Sequence, residues 1–189
     1  VLRCMNSDNC PAQISGRMKH FVSKNCMDID GVGEKLIDSL IDNKLIQKYS
    51  DLFKLSYSDL ENLERMADKS INNILDSISN SKFTRFSRFL NGLGIRNIGT
   101  HACNLLEKEF NSDINKLADA NEDDLNNIYE IGEIMASSIV TYFSNQNNVN
   151  DINECMNLGI TFKKNKVSDE FKNLSFVITG SFKTISRSN

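Results

Sequence analysis

A short glycine motif recurs along this chain at nearly constant intervals. An apolar residue followed by Gly or Ala stands at residues 32–33, 66–67, 98–99 and 131–132, so successive motifs are 34, 32 and 33 residues apart. After each motif, side chains at helical spacing would lie on one helix face, and a short apolar segment precedes each of the last three. The sequence therefore predicts a mainly α fold of four tandem units, each a helix, a tight turn and a helix. The predicted buried faces are Leu36, Ile37 and Leu40; Ser70, Ile71 and Ile74; Ala102, Cys103 and Leu106; and Met135, Ala136 and Ile139.

Units of this kind admit two interpretations. A stack of helical hairpins can serve stability alone. In a helix-hairpin-helix motif, glycine lets the backbone approach a phosphate closely, and the second helix directs its free N-terminal amides at that phosphate. We favour the second interpretation, which predicts contacts to backbone phosphates that hold a DNA duplex without determining its sequence.

The charge distribution bears on this interpretation more than the net charge does. A net charge of −3 argues against binding through a general excess of positive charge. No carboxylate lies between Asp76 and Glu107, however, and Lys82, Arg85, Arg88 and Arg96 all fall in that stretch. The first three are spaced by three residues, which favours one basic helix face; a solvated helix surface is the alternative.

The four predicted hairpins differ in their turns. The first and the third each have two glycines, and the third adds Arg96 within its turn, so we expect the third to bind phosphate most strongly. The second has lost glycine, and the fourth is flanked by Glu130 and Glu133, so both are predicted to be mainly scaffold. The predicted DNA-binding residues are Gly31, Val32, Gly33, Lys35, Lys82, Arg85, Arg88, Gly94, Arg96, Asn97, Gly99 and Thr100.

The five cysteines are odd in number and unevenly spaced, which favours reduced thiols over a disulfide framework. Cys4 and Cys10 lie in a polar turn and form either half of a four-ligand zinc site or a pair of unpaired surface thiols. Cys26, Cys103 and Cys155 are predicted to be small buried side chains. The chain starts at Val1, so we expect a piece of a longer protein whose preceding residues supply the other zinc ligands.

Several segments, in order, resemble the bacterial NAD-dependent DNA ligases. Residues 18–24 (MKHFVSK), 27–37 (MDIDGVGEKLI) and 51–55 (DLFKL) are similar to the start of that family's hairpin domain. Residues 86–99 (FSRFLNGLGIRNIG) resemble its third hairpin, and residues 176–182 (FVITGSF) resemble the first strand of its BRCT domain. One departure is Ala67-Asp68, where the family usually has glycine and proline.

The resemblance implies a domain order. Residues 1–25 would be part of a four-cysteine zinc finger, with Cys4 and Cys10 as its second Zn²⁺-binding pair. Residues 26–160 would form the four-hairpin DNA-binding domain, which we expect to fold alone. Residues 161–170 would be a linker, and residues 171–189 the start of a truncated BRCT domain of α/β type.

The resemblance also implies a function and a partner. The parent enzyme would join 5′-phosphate and 3′-hydroxyl ends at nicks using NAD and Mg²⁺, bound by other domains. The lysine motif of the adenylation centre, Lys-x-Asp-Gly, is absent from these residues, so we expect this chain to grip nicked duplex DNA as an inactive monomer. With no apolar run of membrane length and no leader, the expected location is the cytoplasm and its nucleoid. The alternative is a non-catalytic helix-hairpin-helix protein of repair or recombination.

The ranking of the hairpins makes a direct prediction. Arg96→Glu should weaken duplex binding and lower the slope of log K against log salt by about 0.9, the contribution of one phosphate contact. The matched change Lys44→Glu, outside the predicted turns, should do less on both counts. Both are measured by titrating labelled duplex at several salt concentrations, and equal effects at the two positions would contradict the ranking.

Overall fold

A computed structural model describes residues 10–64 and 66–163 of the chain. Helices dominate this part, as the sequence predicts, and they are joined by short turns. In chain order they are α1 (Pro11–Val22), α2 (Glu34–Asp42), α3 (Tyr49–Leu52), α4 (Tyr57–Glu61), α5 (Asp68–Ser81), α6 (Phe86–Gly92), α7 (Thr100–Glu109), α8 (Ile114–Ala118), α9 (Glu122–Asn126), α10 (Glu133–Ser144) and α11 (Gln146–Asn157). Two short strands, β1 (Phe83–Thr84) and β2 (Thr161–Phe162), complete the described part.

The helices that follow the four glycine motifs are α2, α5, α7 and α10. Their predicted inner faces are largely confirmed: Ile37, Leu40, Ala102, Cys103, Leu106, Ala136 and Ile139 are buried, as are Ile71 and Ile74. Leu36 and Met135 are partly buried and pack against the core. Ser70 is exposed; it lies in the first turn of α5, and the buried face of that helix begins at Ile71.

The centre of the core is the side chain of Phe21, at the end of α1, which is completely buried. Its ring stacks on Tyr49 of α3 with the centroids 4.5 Å apart. The rings of Phe53 and Phe89 meet it edge-on, each at 6.1 Å. Gly92 of α6 allows this approach, since a Cβ there would lie 2.9 Å from Phe21 Cδ2. One aromatic side chain therefore joins α1, α3 and α6.

A buried carboxylate connects α11 to α3. Asp151 of α11 accepts the backbone amides of Tyr49 and Ser50, at 2.9 and 3.0 Å, and so caps the start of α3. A helix N-terminus favours negative charge, which offsets the cost of burying this one. Nearby, Lys48 and Lys54 donate to Glu154 and hold the pKa of that partly buried carboxyl down to about 2.

The two strands form a parallel pair, with Phe83 opposite Thr161 and Thr84 opposite Phe162. The backbone amides of Thr161 and Lys163 donate to the carbonyls of Lys82 and Thr84, both at 2.8 Å. Phe162 also packs its ring against Phe86 and Phe89, at 5.2 and 5.5 Å. Residues 161 and 162, which the sequence assigned to a linker, therefore belong to this strand pair.

Helix α1 falls in the segment expected to belong to a zinc finger, yet it packs into the hairpin core. Ile14, Met18, Phe21 and Val22 are all buried there. A chain that begins at residue 26 would lack Phe21, whose ring lies between Tyr49, Phe53 and Phe89. The structure thus favours a folding unit that includes α1, in place of one bounded at residue 26.

The central position of Phe21 predicts a large effect on stability. Phe21→Ala should lower the free energy of unfolding by about 3–5 kcal/mol, because it removes a buried ring from between three helices. Tyr129→Ala, at a side chain that is 81% exposed, should change it by less than about 0.5 kcal/mol. Urea denaturation of the full chain measures both, and a loss below about 1 kcal/mol for the Phe21 variant would show that α1 is not integral to the core.

Candidate nucleic-acid interface

Three of the four predicted hairpins share one turn. A backbone amide donates to the carbonyl three residues earlier in the segments 29–32, 95–98 and 128–131. The third residue of each turn has a positive φ: Gly31 at 81°, Asn97 at 63° and Glu130 at 66°. The fourth residue is a buried aliphatic side chain, and the next is the glycine that begins a helix. In the second hairpin the matching third residue, Arg65, lies outside the described residues.

The helices after these turns begin without a side-chain cap. Gly33, Ala67, Gly99 and Gly132 are the N-cap residues of α2, α5, α7 and α10, and none of the four helices has a side-chain hydrogen bond at its start. The first amides of a helix have no partner within it and carry its positive dipole end. Among the other helices, α8, α9 and α11 are capped by the side chains of Asp113, Asn121 and Asn145, whereas α1 and α6 also begin without a side-chain cap. The four starts therefore offer free donors at matching positions.

The glycines of the hairpin turns fall into two classes, according to their backbone φ and the space around them. Gly31 and Gly94 have positive φ, which a side chain would strain, and a Cβ at Gly31 would lie 3.1 Å from Ile74. Gly33, Gly99 and Gly132 have ordinary negative φ, and a Cβ there would meet nothing within 4 Å. The fold does not need glycine at these three positions. Bare backbone beside uncapped amides suits the close approach of an anion.

The second residue of each turn is exposed and differs in charge. Asp30 occupies it in the first turn, Arg96 in the third and Tyr129 in the fourth. Arg96 alone among these adds positive charge to the free amides of the next helix. The exposed Lys35 lies one residue inside α2, and Thr100 is the first residue of α7. Val32 was also predicted to bind DNA; its side chain is buried, so only its backbone can face a ligand.

The third turn is connected to the fourth hairpin. The side-chain amide of Asn97 donates to the hydroxyl of Ser138 on α10, at 3.0 Å. Arg96 and Asn97 line one wall of a shallow cleft, and Glu133, Ile134 and Ser138 lie on the other. His101 of α7 contacts Glu130 of the fourth turn, with Nε2 and Oε2 2.5 Å apart. The turns at residues 95–98 and 128–131 therefore belong to one continuous surface.

The prediction that Lys82, Arg85 and Arg88 form one basic helix face is wrong. Lys82 is the residue that follows α5, β1 comes next, and Arg85 is the residue that precedes α6, so Lys82, Arg85 and Arg88 do not share a helix. The chain breaks there because the segment pairs with β2. Arg85 forms an ion pair with Glu107 at 2.8 Å, and Arg88 forms one with Asp28 at 3.2 Å. Both arginines are thus bound to acids of this chain that lie outside the carboxylate-free stretch.

The cysteines divide as predicted where the structure describes them. Cys26, Cys103 and Cys155 are buried, and burial raises the pKa of the Cys103 thiol to about 12, which keeps it uncharged. Cys10 is partly exposed and precedes α1, whereas Cys4 lies outside the described residues. Within residues 10–64 and 66–163 no three candidate metal ligands come together. The binding of zinc by Cys4 and Cys10 therefore stays a prediction.

Some residues of this surface were not found from the sequence. Tyr129, within the fourth turn, and Ile134, at the start of α10, are large apolar side chains that are 81% and 73% exposed. Ile134 precedes the inward-facing Met135 and Ala136, so its position off the apolar stripe of α10 was the available signal. Ser138 and His101 carry no such signal, because their partners belong to other hairpins.

Comparisons with known proteins agree with this geometry. A family model described as a helix-hairpin-helix motif matches residues 88–152, which include the third and fourth turns. The whole chain aligns with a DNA ligase of Clostridioides difficile (strain 630) at 38% identity, covering 28% of that protein. It also aligns over its full length with DNA ligases of Bacillus pumilus (strain SAFR-032) and Anoxybacillus flavithermus (strain DSM 21510 / WK1), each at 41% identity and covering 29%. The resemblance to bacterial DNA ligases is confirmed, and the chain spans under a third of the length of these relatives.

The described helices include none that is both long enough and apolar enough to cross a membrane.

The open glycines predict that folding and binding can be separated. Gly99→Ser should leave the free energy of unfolding within about 0.5 kcal/mol of wild type, because serine is at least as good an N-cap as glycine. It should weaken duplex binding roughly fivefold or more, since the new side chain fills the space that a phosphate needs and competes for the helix amides. Thermal unfolding and fluorescence anisotropy give the two values.

Two further glycines serve as controls for this variant. Gly16→Ser, at an open glycine within α1 away from the turns, should change neither property by much. Gly132→Ser, in the acid-flanked fourth turn, should weaken binding less than Gly99→Ser. Equal binding by wild type and the Gly99 variant would show that α7 does not receive the phosphate.

Proposed function

We propose that this chain, homologous to the C-terminal part of bacterial DNA ligases, is the duplex-gripping portion of an NAD-dependent DNA ligase. The parent enzyme joins 5′-phosphate and 3′-hydroxyl ends at nicks in duplex DNA, during replication and repair. Its partners here are the phosphates of nicked duplex DNA. The observation that carries the proposal is the set of uncapped helix starts at 33-residue spacing, three of which have glycine facing open space.

The chemistry of these starts fits a phosphate. Each presents several backbone amides in one direction, and the helix dipole adds roughly half a positive charge. Neither contribution depends on basic side chains, so a chain with a net charge of −3 can still bind a polyanion. Contacts of this type hold the sugar–phosphate backbone and do not determine sequence.

The four hairpins contribute unequally in this proposal. The third is the strongest, because Arg96 supplies a cation where the first turn has Asp30 and the fourth has Tyr129. The first contributes mainly through the amides of α2 and through Lys35. The second, which begins α5 with Ala67 in place of glycine, and the fourth, flanked by Glu130 and Glu133, act mainly as scaffold.

The remaining domains are part of the proposal. Cys4 and Cys10 would supply half of a four-cysteine Zn²⁺ site, and residues 171–189 would begin the BRCT domain. NAD and Mg²⁺ would be bound by the catalytic domains of the parent. In this chain Lys35 lies exposed near the start of a hairpin helix, so a phosphate contact suits it better than the role of adenylated nucleophile.

The proposal predicts weak duplex binding that does not depend on sequence. The full 189-residue chain should bind two nicked duplexes of unrelated sequence with dissociation constants between roughly 10⁻⁶ and 10⁻⁴ M, equal within about twofold. Combining Arg96→Gln with Gly99→Ser should remove most of this binding. Fluorescence anisotropy at two salt concentrations measures it.

An intact duplex and a single strand of the same sequence complete the experiment. Duplexes should bind more tightly than the single strand, because phosphates on both strands are then placed at fixed distances. Strong preference for one sequence would contradict a grip through the backbone. If no binding is detected at low salt, the grip belongs to other parts of the ligase.

A further inference from the structure

We infer that Arg88, together with Asn91, is a positioning residue that holds the first hairpin in place from α6, and that Arg88 does not itself bind phosphate. This inference rests on the proposed function, because the hairpin that is held is one of the proposed phosphate sites. It replaces the prediction, made from the sequence, that Arg88 contacts DNA directly.

The segment that is held is the lead-in loop, residues 23–28, between α1 and the first turn. Three of its amides bond to α1 or to the loop itself: Cys26 and Asp28 donate to the carbonyl of Ser23, and Met27 donates to that of Phe21. Its carbonyls at residues 24–26 point the other way, toward α6. A partly buried carbonyl needs a donor, because leaving it unpaired costs free energy.

Two side chains of α6 supply those donors. Arg88 donates through Nε to the carbonyl of Cys26, at 2.7 Å, and through Nη2 to the carbonyl of Lys24. Asn91 donates to the carbonyl of Asn25, at 3.4 Å, and to the sulfur of Cys26, at 3.2 Å. Side chains of one short helix thus donate hydrogen bonds to three consecutive carbonyls of the loop.

The contact between α6 and the loop is also close and charged. A Cβ at Gly92 would lie 3.4 Å from Cβ of Cys26, so the helix backbone lies directly against the loop. The guanidinium of Arg88 forms an ion pair with Asp28, the last loop residue, which has a positive φ of 54°. That pairing offsets the charge that Arg88 would otherwise offer to a phosphate.

The loop leads straight into the first turn. Ile29 follows Asp28, its carbonyl accepts the amide of Val32 to form the turn, and Gly33 then begins α2. The direction of the free amides of α2 is therefore set by where the loop lies. Since α6 is the first helix of the third hairpin, the same helix positions two of the proposed phosphate sites.

Substitutions that separate charge from geometry test this inference. Arg88→Lys keeps the positive charge but cannot donate from two forked positions to two carbonyls. In the full chain it should weaken duplex binding roughly tenfold, by analogy with the loss of a charged hydrogen bond, and leave the salt slope unchanged. Arg88→Met should have a similar effect. Asn91→Ala removes no charge and should weaken binding in the same way, roughly threefold.

Hydrogen exchange of the free protein distinguishes the two roles of Arg88. If Arg88 only contacted phosphate, its substitution would not alter amide exchange in the absence of DNA. In Arg88→Lys the amides of Ile29 and Val32 should exchange faster, while that of Ile98, in the third turn, should not. Combining Arg88→Lys with Gly33→Ser should cost less than the sum of the two effects on binding. Combining it with Gly99→Ser should give the sum.

The outcomes distinguish the two proposals. If Arg88→Lys binds like wild type while Arg88→Met lowers the salt slope by about 0.9, Arg88 contacts phosphate and the inference is overturned. Unchanged exchange at Ile29 and Val32 overturns it as well. If the wild-type chain binds no duplex, the proposed function of the chain fails, and hydrogen exchange still decides whether α6 holds the loop.

Discussion

The structure depends most on the burial of Phe21 between three helices. Its ring contacts Tyr49 and Phe53 on the α3 side and Phe89 on α6, and Gly92 leaves room for it. Burying a phenylalanine contributes about 2–3 kcal/mol, which is a large part of the stability of a small domain. The contact has a second consequence, because the chain after Phe21 leads to the first turn and α6 leads to the third. Both turns are thus positioned relative to one ring.

The helices that follow the glycine turns begin without a side-chain cap. Side chains cap α8, α9 and α11, which do not follow a glycine turn, although α1 and α6 also begin without a side-chain cap. At α2, α7 and α10 the chain has glycine instead, which gives up a few tenths of a kcal/mol relative to serine. Local departures from good capping are expected where a surface is kept for a ligand. The shared turn geometry and the open space at these glycines are consistent with that explanation.

The sequence predicted the features that depend on local spacing. The helical period gave the buried faces of α2, α7 and α10, and the glycine interval gave the positions of their turns. It could not predict the packing of α1 or the pairing of residues 83–84 with 161–162, since both join segments that are far apart in the chain. The strand pair also interrupts what local spacing had suggested was one basic helix face.

For the charges of the site too, the sequence shows which residues are charged but not which distant residues they pair with. Counting residues between Asp76 and Glu107 correctly finds a stretch without carboxylates. The acid that pairs with Arg88 comes from the first hairpin, 60 residues earlier, and the acid that pairs with Arg85 is Glu107, whose side chain is only 1% exposed. A cluster of cations in a sequence thus overstates the charge that a ligand meets. Backbone amides at a helix start are not neutralised in this way, because their direction is fixed by the helix itself. An acidic chain that binds a polyanion therefore does so most reliably through its backbone, with the help of an exposed cation such as Arg96.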